Sequence, residues 1–363
     1  MRTPPGRVVT EVDGRVRITH WIGVLASALT LSALPLAPSG QAAVSPALAA
    51  GSCTAVDIPV ALSPAGQRSL HLAADYCVPA GRPAAAVDVL VPGATYDDDY
   101  WTWPQDPAHY SYAQKTLQAG RAVLAIDRLG TGGSSHPDST EITAAVSAYA
   151  VHQAITWVRG RGFSAVNLIG HSVGSVIATL VDATWPADVT RLVLTGYLND
   201  STSDMAAAKL DVYPADDDPL FAASGLDAGY LTTKPGTRAS LFYGTGASPA
   251  VIAGDEAHKD VVSGTEFGSA LTLLPMAAGT GNPADQVTAP VLVIVGQDDY
   301  ILCEGQGAPD CASSAALHAH EMPYFSRAAS LTTLSVTATG HDLALSPTAD
   351  LSFAMINNWL LTH

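Results

Sequence analysis

Residues 166–180 read V-N-L-I-G-H-S-V-G-S-V-I-A-T-L and contain the pattern G-x-S-x-G at positions 170–174. This spacing is typical of a nucleophile elbow, a sharp turn from a strand into a helix that leaves a serine hydroxyl exposed. Small residues two positions before and after the serine let the backbones pass without Cβ clashes. The apolar run before the motif predicts a buried strand, and the unbroken run after it predicts a helix. Ser172 is therefore the candidate nucleophile.

The composition excludes several classes of protein. The chain has 363 residues, of which 48% are hydrophobic and 14% are charged. Such a chain can bury a large core and is not expected to be disordered. Its 17 Lys and Arg stand against 33 Asp and Glu, which gives a formal net charge of −16. Because an acidic surface repels phosphate backbones, we expect no nucleic-acid partner.

Residues 1–49 are predicted to be a signal peptide and processing region. Four arginines between positions 2 and 17 precede an apolar run at 21–36, and small residues follow it. This layout is typical of a secretory signal. Ser and Pro interrupt the run, which is also short for a membrane span. We therefore expect a secreted protein without a stable membrane anchor.

Four cysteines in an exported chain predict two disulfides, for which three pairings are possible. We favour Cys53–Cys77 and Cys303–Cys311, because each pair is close in sequence and closes a short loop. Two histidines follow Cys311, but the resulting spacing C-x7-C-x6-H-x-H matches no standard zinc site. We therefore expect no bound metal.

Short apolar runs alternate with helical segments along the rest of the chain. The runs that predict strands lie at 87–91, 122–126, 192–195, 291–295 and 331–338, and residues 141–159 predict a helix. Wholly apolar strands that alternate with helices are typical of a parallel sheet covered on both faces. The sequence therefore predicts an α/β fold with a mostly parallel sheet.

The pattern changes between the predicted strands at 192–195 and 291–295. Apolar runs become short there, Gly, Pro, Asp and Thr are frequent, and aromatic residues are scattered. Long insertions that carry their own apolar residues tend to be functional lids. We therefore predict a mainly helical cap at 197–289, between core parts at 50–196 and 290–363. An ordinary run of surface helices is the alternative.

A serine nucleophile needs a base, and the base needs an orienting carboxylate. In a parallel sheet these groups are expected just past the carboxyl ends of strands. Asp298 and Asp299 follow the strand at 291–295, and His341 follows the strand at 331–338. Of the 11 histidines, His341 alone follows a late core strand. The chain order Ser, Asp, His is that of α/β-hydrolases.

The chain resembles the α/β-hydrolase superfamily over residues 55–363, and most of all its secreted bacterial members that carry a cap. The matching motifs are the P-G loop at 92–93, D-R-x-G-x-G-x-S-S at 127–135, the G-H-S-V-G elbow, and the G-x-x-D and G-H loops. The resemblance implies the α/β-hydrolase fold. It also implies that Ser172 is the nucleophile, His341 the base and Asp299 the acid.

Two other aspartates remain candidates for the acid. Asp298 is the neighbour of Asp299 in the G-x-x-D loop, where the family places the acid at the fourth residue. Some relatives place the acid after the preceding strand, near Asp200.

Two backbone N–H groups are expected to bind the oxyanion of the tetrahedral intermediate. One belongs to Val173, the residue after the nucleophile. By the resemblance, the other comes from the loop after the 87–91 strand, where the family commonly has His-Gly and this chain has Pro92-Gly93. Ala94 is the second donor by register, and Thr95 is the alternative.

The substrate pocket is expected to include residues near these loops. They are Thr95, Tyr96, Trp101, His171 and Tyr197. Packing in the core beneath the cap is the alternative for the aromatic residues. His171 is expected to pack or hydrogen-bond under the site and not to act as the base.

The sequence gives no sign of a cofactor. The acidic runs at 97–99 and 216–218 are interpreted as solvated loops and not as calcium sites. The glycine-rich stretch at 130–133 lacks the spacing of a phosphate-binding loop. The expected function is a secreted, cofactor-free serine hydrolase that cleaves a carboxylic ester or lactone of an apolar small molecule. Aminopeptidase, C–C hydrolase or acyltransferase activity and a non-catalytic binding protein are the alternatives.

Overall fold

The computed structural model of the protein describes residues 51–81, 83–199, 211–304 and 307–363. The strands are β1 Gly51–Val60, β2 Leu70–Pro79, β3 Ala86–Val91, β4 Ala122–Ile126, β5 Ala165–His171, β6 Arg191–Thr195, β7 Val212–Pro214, β8 Tyr230–Thr233, β9 Val262–Ser263, β10 Val291–Gly296 and β11 Leu331–Val336. The α-helices are α1 Asp99–Thr102, α2 Pro107–Tyr110, α3 Tyr112–Gln118, α4 Ala144–Arg159, α5 Val173–Thr184, α6 Arg238–Phe242, α7 Pro249–His258, α8 Gly264–Leu271, α9 Ser314–Glu321 and α10 Ala349–Thr362. Short 3-10 helices lie at Ser139–Glu141, Ala215–Asp217, Pro283–Gln286 and Leu343–Leu345. The predicted signal region at 1–49 and the candidate Asp200 lie outside the described residues.

Eight of these strands form one sheet in the order β1-β2-β4-β3-β5-β6-β10-β11. The strands from β4 to β11 in this order are parallel to one another. Strand β2 runs antiparallel to both of its neighbours, β1 and β4. The sheet is therefore mostly parallel, as the sequence predicts.

The central strands are buried on both faces. Every residue of β4 and β10 is buried. Because successive side chains of a strand point to opposite faces, wholly buried strands require cover on both sides. The helices provide it, with α4 packed beside α5 and α3 beside α10. The predicted α/β architecture is confirmed, and the predicted helix at 141–159 begins as a 3-10 turn and continues as α4.

The segment between β6 and β10, which we call the insertion (residues 197–289), carries helices α6, α7 and α8. It also contains a small antiparallel sheet in the order β7-β8-β9, which the sequence analysis did not predict. These strands have two to four residues, too few for a period-2 pattern to stand out in the sequence. Helix α8 packs on α4 and α5 of the core.

Two disulfides join the cysteines in the favoured pairing. Cys53 and Cys77 lie opposite each other on β1 and β2 and are bonded. Cys303 and Cys311 close the loop that follows β10. Within the part of the chain that the structure describes, none of the helices combines the length and apolarity needed to span a bilayer.

Candidate active site

Ser172 occupies the turn between β5 and α5 with φ 52° and ψ −120°. A positive φ is unusual for a residue with a side chain. Two close approaches accompany the turn. A Cβ on Gly170 would lie 2.5 Å from the carbonyl oxygen of Gly174, and one on Gly174 would lie 2.3 Å from that of Val91. The glycines of the motif are therefore sterically required, and the local geometry is that of a nucleophile elbow.

His341 and Asp299 are hydrogen-bonded, with 2.8 Å between Nδ1 of His341 and Oδ2 of Asp299. Oδ1 of Asp299 accepts from the backbone N–H groups of Ile301 at 2.9 Å and Leu302 at 3.0 Å. Both side chains are buried. The fixed carboxylate therefore orients the imidazole so that Nε2 remains for a second partner. Asp298, the alternative acid, has no bond to His341 in the described structure.

The charge of His341 is set by its neighbours. Burial acts to lower its pKa, but the charge of Asp299 and the hydrogen bond to that carboxylate raise the pKa above the usual value. The protonated form is thereby stabilised, which suits a group that must hold a proton transiently.

Two backbone N–H groups beside Ser172 have no protein acceptor among the described residues. They belong to Val173 and Ala94. Val173 is the first residue of α5, where helical N–H groups have no intrahelical partner. The loop that carries Ala94 lies against the elbow, since a Cβ on Gly93 would be 3.1 Å from Cβ of Ser172. Both predicted oxyanion donors therefore lie next to the serine.

An apolar cavity opens beside Ser172. Its volume is about 30 Å³, which is about the volume that one water molecule takes up in the liquid. Its lining residues are Ser172, Val173, Val176, Gly196, Tyr197, Leu198, Phe267, Ala270, Leu271, Leu274, Ile301, Leu302 and His341. Helix α8 and the turn after it supply one wall, so the insertion contributes directly to this site.

The structure separates the predicted pocket residues. Tyr197 lines the cavity, whereas Thr95, Tyr96, Trp101 and His171 are not among its lining residues. All four residues are buried. Their aromatic rings pack in the core, the alternative that the sequence analysis left open.

His171 belongs to a buried hydrogen-bond network that the sequence analysis did not foresee. The Thr195 hydroxyl donates to the Gly170 carbonyl at 3.0 Å, so its oxygen accepts from Nδ1 of His171 at 3.1 Å. Nε2 of His171 is then an acceptor and lies 3.2 Å from Oδ1 of Asp342. The other oxygen of Asp342 accepts from the Tyr96 hydroxyl.

The protonation states in this network follow from burial. Burial and the nearby His341 lower the pKa of His171 well below its usual value. Burial and Asp255 raise the pKa of Asp342 to about 8. A neutral His171 therefore accepts a hydrogen bond from a protonated Asp342. His171 has both ring nitrogens engaged and is unsuited to act as the base.

The acidic run at 97–99 is not the solvated loop that the sequence analysis expected. Its three carboxylates are half-buried, and an oxygen from each lies within 4.8 Å of the others. Burial and neighbouring aspartates raise the pKa of Asp97 to about 8 and that of Asp98 to about 9. These raised pKa values favour the protonated form of Asp97 and Asp98 near neutral pH, which lowers the free-energy cost of burying them.

Residues 89–352 match the model of the alpha/beta hydrolase family. The chain belongs to this family. The matched residues include the elbow, the loop after β10 and His341. The protein is therefore an enzyme of the α/β hydrolase family, and residues of its family motifs line the cavity described above.

Solved α/β hydrolase structures share the fold. A thermophilic esterase from Thermogutta terrifontis superposes with a TM-score of 0.57 at 17% identity, covering 85% of this chain and 98% of that one. An enol-lactonase from Burkholderia xenovorans LB400 superposes with a TM-score of 0.53 at 15% identity, covering 80% and 97%. At these identities the likeness concerns the fold.

A curated relative is similar over a short segment. A probable 1-acylglycerol-3-phosphate O-acyltransferase from Oryza sativa subsp. japonica is 37% identical over 75 residues, which is 20% of this α/β hydrolase and 18% of the relative. The chain therefore matches less than a fifth of that protein's length.

The protonated state of Asp342 in its network with His171 and Tyr96 predicts how pH affects the stability of the protein. Because the folded-state pKa of Asp342 is about 8 and its ordinary value is 3.8, the folded protein binds more protons between these values. The free energy of unfolding therefore falls as pH rises through this range. Asp342→Asn keeps one donor and one acceptor without the titration, so we expect its Tm to fall less than that of the wild type between pH 6 and pH 9.

Asp342→Ala is the contrast, since it leaves Nε2 of His171 without a partner and removes the nearer acceptor of the Tyr96 hydroxyl. It is expected to cost about 1–3 kcal/mol at every pH. Asp57→Asn, on the exposed face of β1, is the surface control. Thermal melts across the pH series compare the variants. If Asp342→Asn lost as much stability as Asp342→Ala, a protonated Asp342 would be ruled out.

Proposed function

We propose that this protein is a secreted serine hydrolase that cleaves a carboxylic ester or lactone of an apolar small molecule through Ser172, His341 and Asp299. One observation carries the proposal. A serine on a strained elbow and a carboxylate-bound histidine line the same small apolar cavity. The family membership and the esterase and lactonase folds support the class of reaction.

The first half of the reaction forms an acyl-enzyme. Oγ of Ser172 attacks the substrate carbonyl while Nε2 of His341 takes the hydroxyl proton. Asp299 holds the imidazole in place and stabilises its charged form. The carbonyl oxygen becomes an oxyanion, which the N–H groups of Val173 and Ala94 bind. His341 then gives its proton to the leaving alcohol as the carbon–oxygen bond breaks.

The second half releases the acid. Water gives a proton to Nε2 of His341 and attacks the acyl carbon, and the oxyanion is bound by the same two N–H groups. Collapse of this intermediate breaks the bond to Oγ, which recovers its proton from His341. No cofactor takes part in this sequence.

The cavity argues for a small acyl group. Its wall is formed by apolar side chains of the insertion, chiefly Phe267, Ala270 and Leu274, opposite Ile301 and Leu302 of the disulfide-closed loop. A cavity this small favours a short acyl chain over a long one. The insertion would act as the cap by closing this side of the pocket.

Transfer of the acyl group to an alcohol is the second candidate. It is motivated by the local similarity to a protein named as an acyltransferase. Hydrolysis and transfer share the acyl-enzyme and differ in the acceptor that reaches it. Product analysis with added glycerol or methanol separates them, since a transferase forms new ester faster than free acid.

Ser172→Ala tests the nucleophile. Removing Oγ is expected to lower kcat/KM on p-nitrophenyl butyrate by about 10⁴-fold or more. Ser175→Ala, which alters a neighbouring serine that bonds the Thr195 carbonyl, is the control and should keep the activity within a few-fold. Retention of full activity by folded Ser172→Ala protein would overturn the mechanism.

Asp299→Asn tests the acid through the pH profile. Because the base must be neutral and the pKa of His341 is raised, kcat/KM of the wild type should rise with pH through a midpoint above 6.5. Removing the carboxylate should lower that midpoint and reduce kcat on the order of 10²–10⁴-fold. Asp298→Asn is the control with an unchanged profile. If Asp298→Asn alone lost most of its kcat, the acid would be Asp298 and not Asp299.

Phe267→Ala tests the cavity wall. Wild-type activity on p-nitrophenyl esters should be highest for short acyl chains and fall as the chain lengthens, because the cavity is small. Truncating Phe267 enlarges the cavity, so the preferred chain should lengthen. Phe221→Ala, an aromatic residue of the insertion away from this cavity, should leave the preference unchanged. An unaltered preference in Phe267→Ala would place the acyl group elsewhere.

A further inference from the structure

The loop at residues 92–96 is the part of the site where this chain departs most from its family. It begins with Pro92-Gly93 where the family commonly has His-Gly. Thr95 has a positive φ of 61°, which a β-branched residue rarely adopts. Something outside the loop must therefore hold this conformation, and with it the direction of the Ala94 N–H.

Arg238 of the insertion contacts the loop at the two residues that follow Ala94. Its NH1 donates to the Thr95 hydroxyl at 2.9 Å, and the guanidinium lies 4.2 Å above the ring of Tyr96. The arginine is itself fixed by two hydrogen bonds to Asp255, at 2.9 and 2.8 Å. The backbone carbonyl of Thr95 accepts from the N–H of Asp260, also in the insertion, at 2.9 Å.

Arg128 of the core binds the loop at Gly93, the residue before Ala94. Its NH2 donates to the Gly93 carbonyl at 3.0 Å, and its NH1 pairs with Glu266 on α8. The Ser147 hydroxyl donates to the other oxygen of Glu266 at 2.5 Å. Both members of this pair are almost fully buried.

Two buried ion pairs, Arg128–Glu266 and Arg238–Asp255, contact a loop of only five residues. Such pairs add little net stability, because the desolvation of both charges offsets their attraction. What a guanidinium does supply is a rigid fork of donors with fixed directions. Arg128 fixes the Gly93 carbonyl, which belongs to the same peptide group as the Ala94 N–H. Arg238 fixes the side chain of the next residue, Thr95. The Ala94 N–H therefore has little freedom to change direction.

We infer that Arg128 and Arg238 are positioning residues, which aim the Ala94 N–H at the oxyanion from the two sides of the loop. Their partners Glu266 and Asp255 both belong to the insertion. The insertion is therefore a fixed support of the oxyanion site as well as a wall of the acyl cavity. This inference rests on the proposed function, since it assigns a task within the same reaction.

Thr95→Val gives the cleanest test, because it removes the hydroxyl that Arg238 holds and keeps the size and branching. We expect kcat/KM on p-nitrophenyl butyrate to fall about 10- to 100-fold. Thr95→Ser restores the hydroxyl and should stay within about threefold of the wild type. Arg238→Lys keeps the charge beside Asp255 but loses the fork, and should resemble Thr95→Val. The double variant should lose little more than either single one.

A matched pair of controls lies at residues that do not line the cavity. Thr116 and Arg121 both bond the buried carboxylate of Asp88. Thr116→Val and Arg121→Lys therefore change the same groups in another buried ion pair. Their melting temperatures are expected to fall as in the test variants, while kcat/KM stays that of the wild type.

The readout that isolates positioning is inhibition by a trifluoromethyl ketone with a butyl chain. Ser172 adds to this carbonyl and leaves an oxyanion between the two N–H groups, as in the reaction itself. Across the Thr95 and Arg238 variants, Ki should rise by the same factor by which kcat/KM falls. The secondary alcohol obtained by reducing the same ketone has the same chain but forms no adduct and no oxyanion, so it should bind each variant equally.

The outcomes separate this inference from the proposed function. If the wild type hydrolyses esters in a Ser172-dependent way and Thr95→Val and Arg238→Lys keep full kcat/KM and Ki, the inference is wrong while the proposed function stands. If Ki of the ketone and the affinity for the alcohol weaken together, the arginines support the fold alone and the inference is likewise wrong. A wild type without Ser172-dependent hydrolysis would overturn the proposed function itself.

Discussion

The backbone of Ser172 is held at a positive φ, and the rest of the site depends on this turn. A φ of 52° with a ψ of −120° is a sparsely populated conformation, which costs a residue with a side chain about 1–3 kcal/mol. It persists because β5 and α5 are both fixed in the core and because Gly170 and Gly174 leave room for the neighbouring backbones. The turn presents the serine hydroxyl at the carboxyl edge of the sheet, where the loops after β3, β10 and β11 meet.

The insertion completes the site that the sheet begins. Its helix α8 supplies one wall of the cavity, and Glu266 and Asp255 hold the two arginines beside the loop at 92–96. Both pairs are buried, so either arginine would be difficult to move without leaving a carboxylate unpaired. The insertion is therefore anchored to the same loop and cavity that contain the candidate site residues.

The parts of the fold that could be predicted are those with local signals. The elbow strand and β10 each carry an apolar run followed by glycine, and β11 precedes the Gly340-His341 pair. These positions after strands also indicated Asp299 and His341, whose catalytic roles remain predictions that the geometry supports. The arginine contacts could not be predicted, because Arg238 and Thr95 are separated by 143 positions and charged residues are usually exposed. Tyr96 and Trp101 show a further limit, since aromatic residues near a motif indicate a pocket and a packed core equally well.

Mass spectrometry of the folded protein after reaction with a fluorophosphonate tests the role of Ser172 most directly. The reagent bonds covalently to a serine that an adjacent base activates. We expect one adduct per chain, on the peptide that contains Ser172, absent from Ser172→Ala and from unfolded protein. An adduct on another residue, or none in a preparation that still hydrolyses esters, would contradict the account.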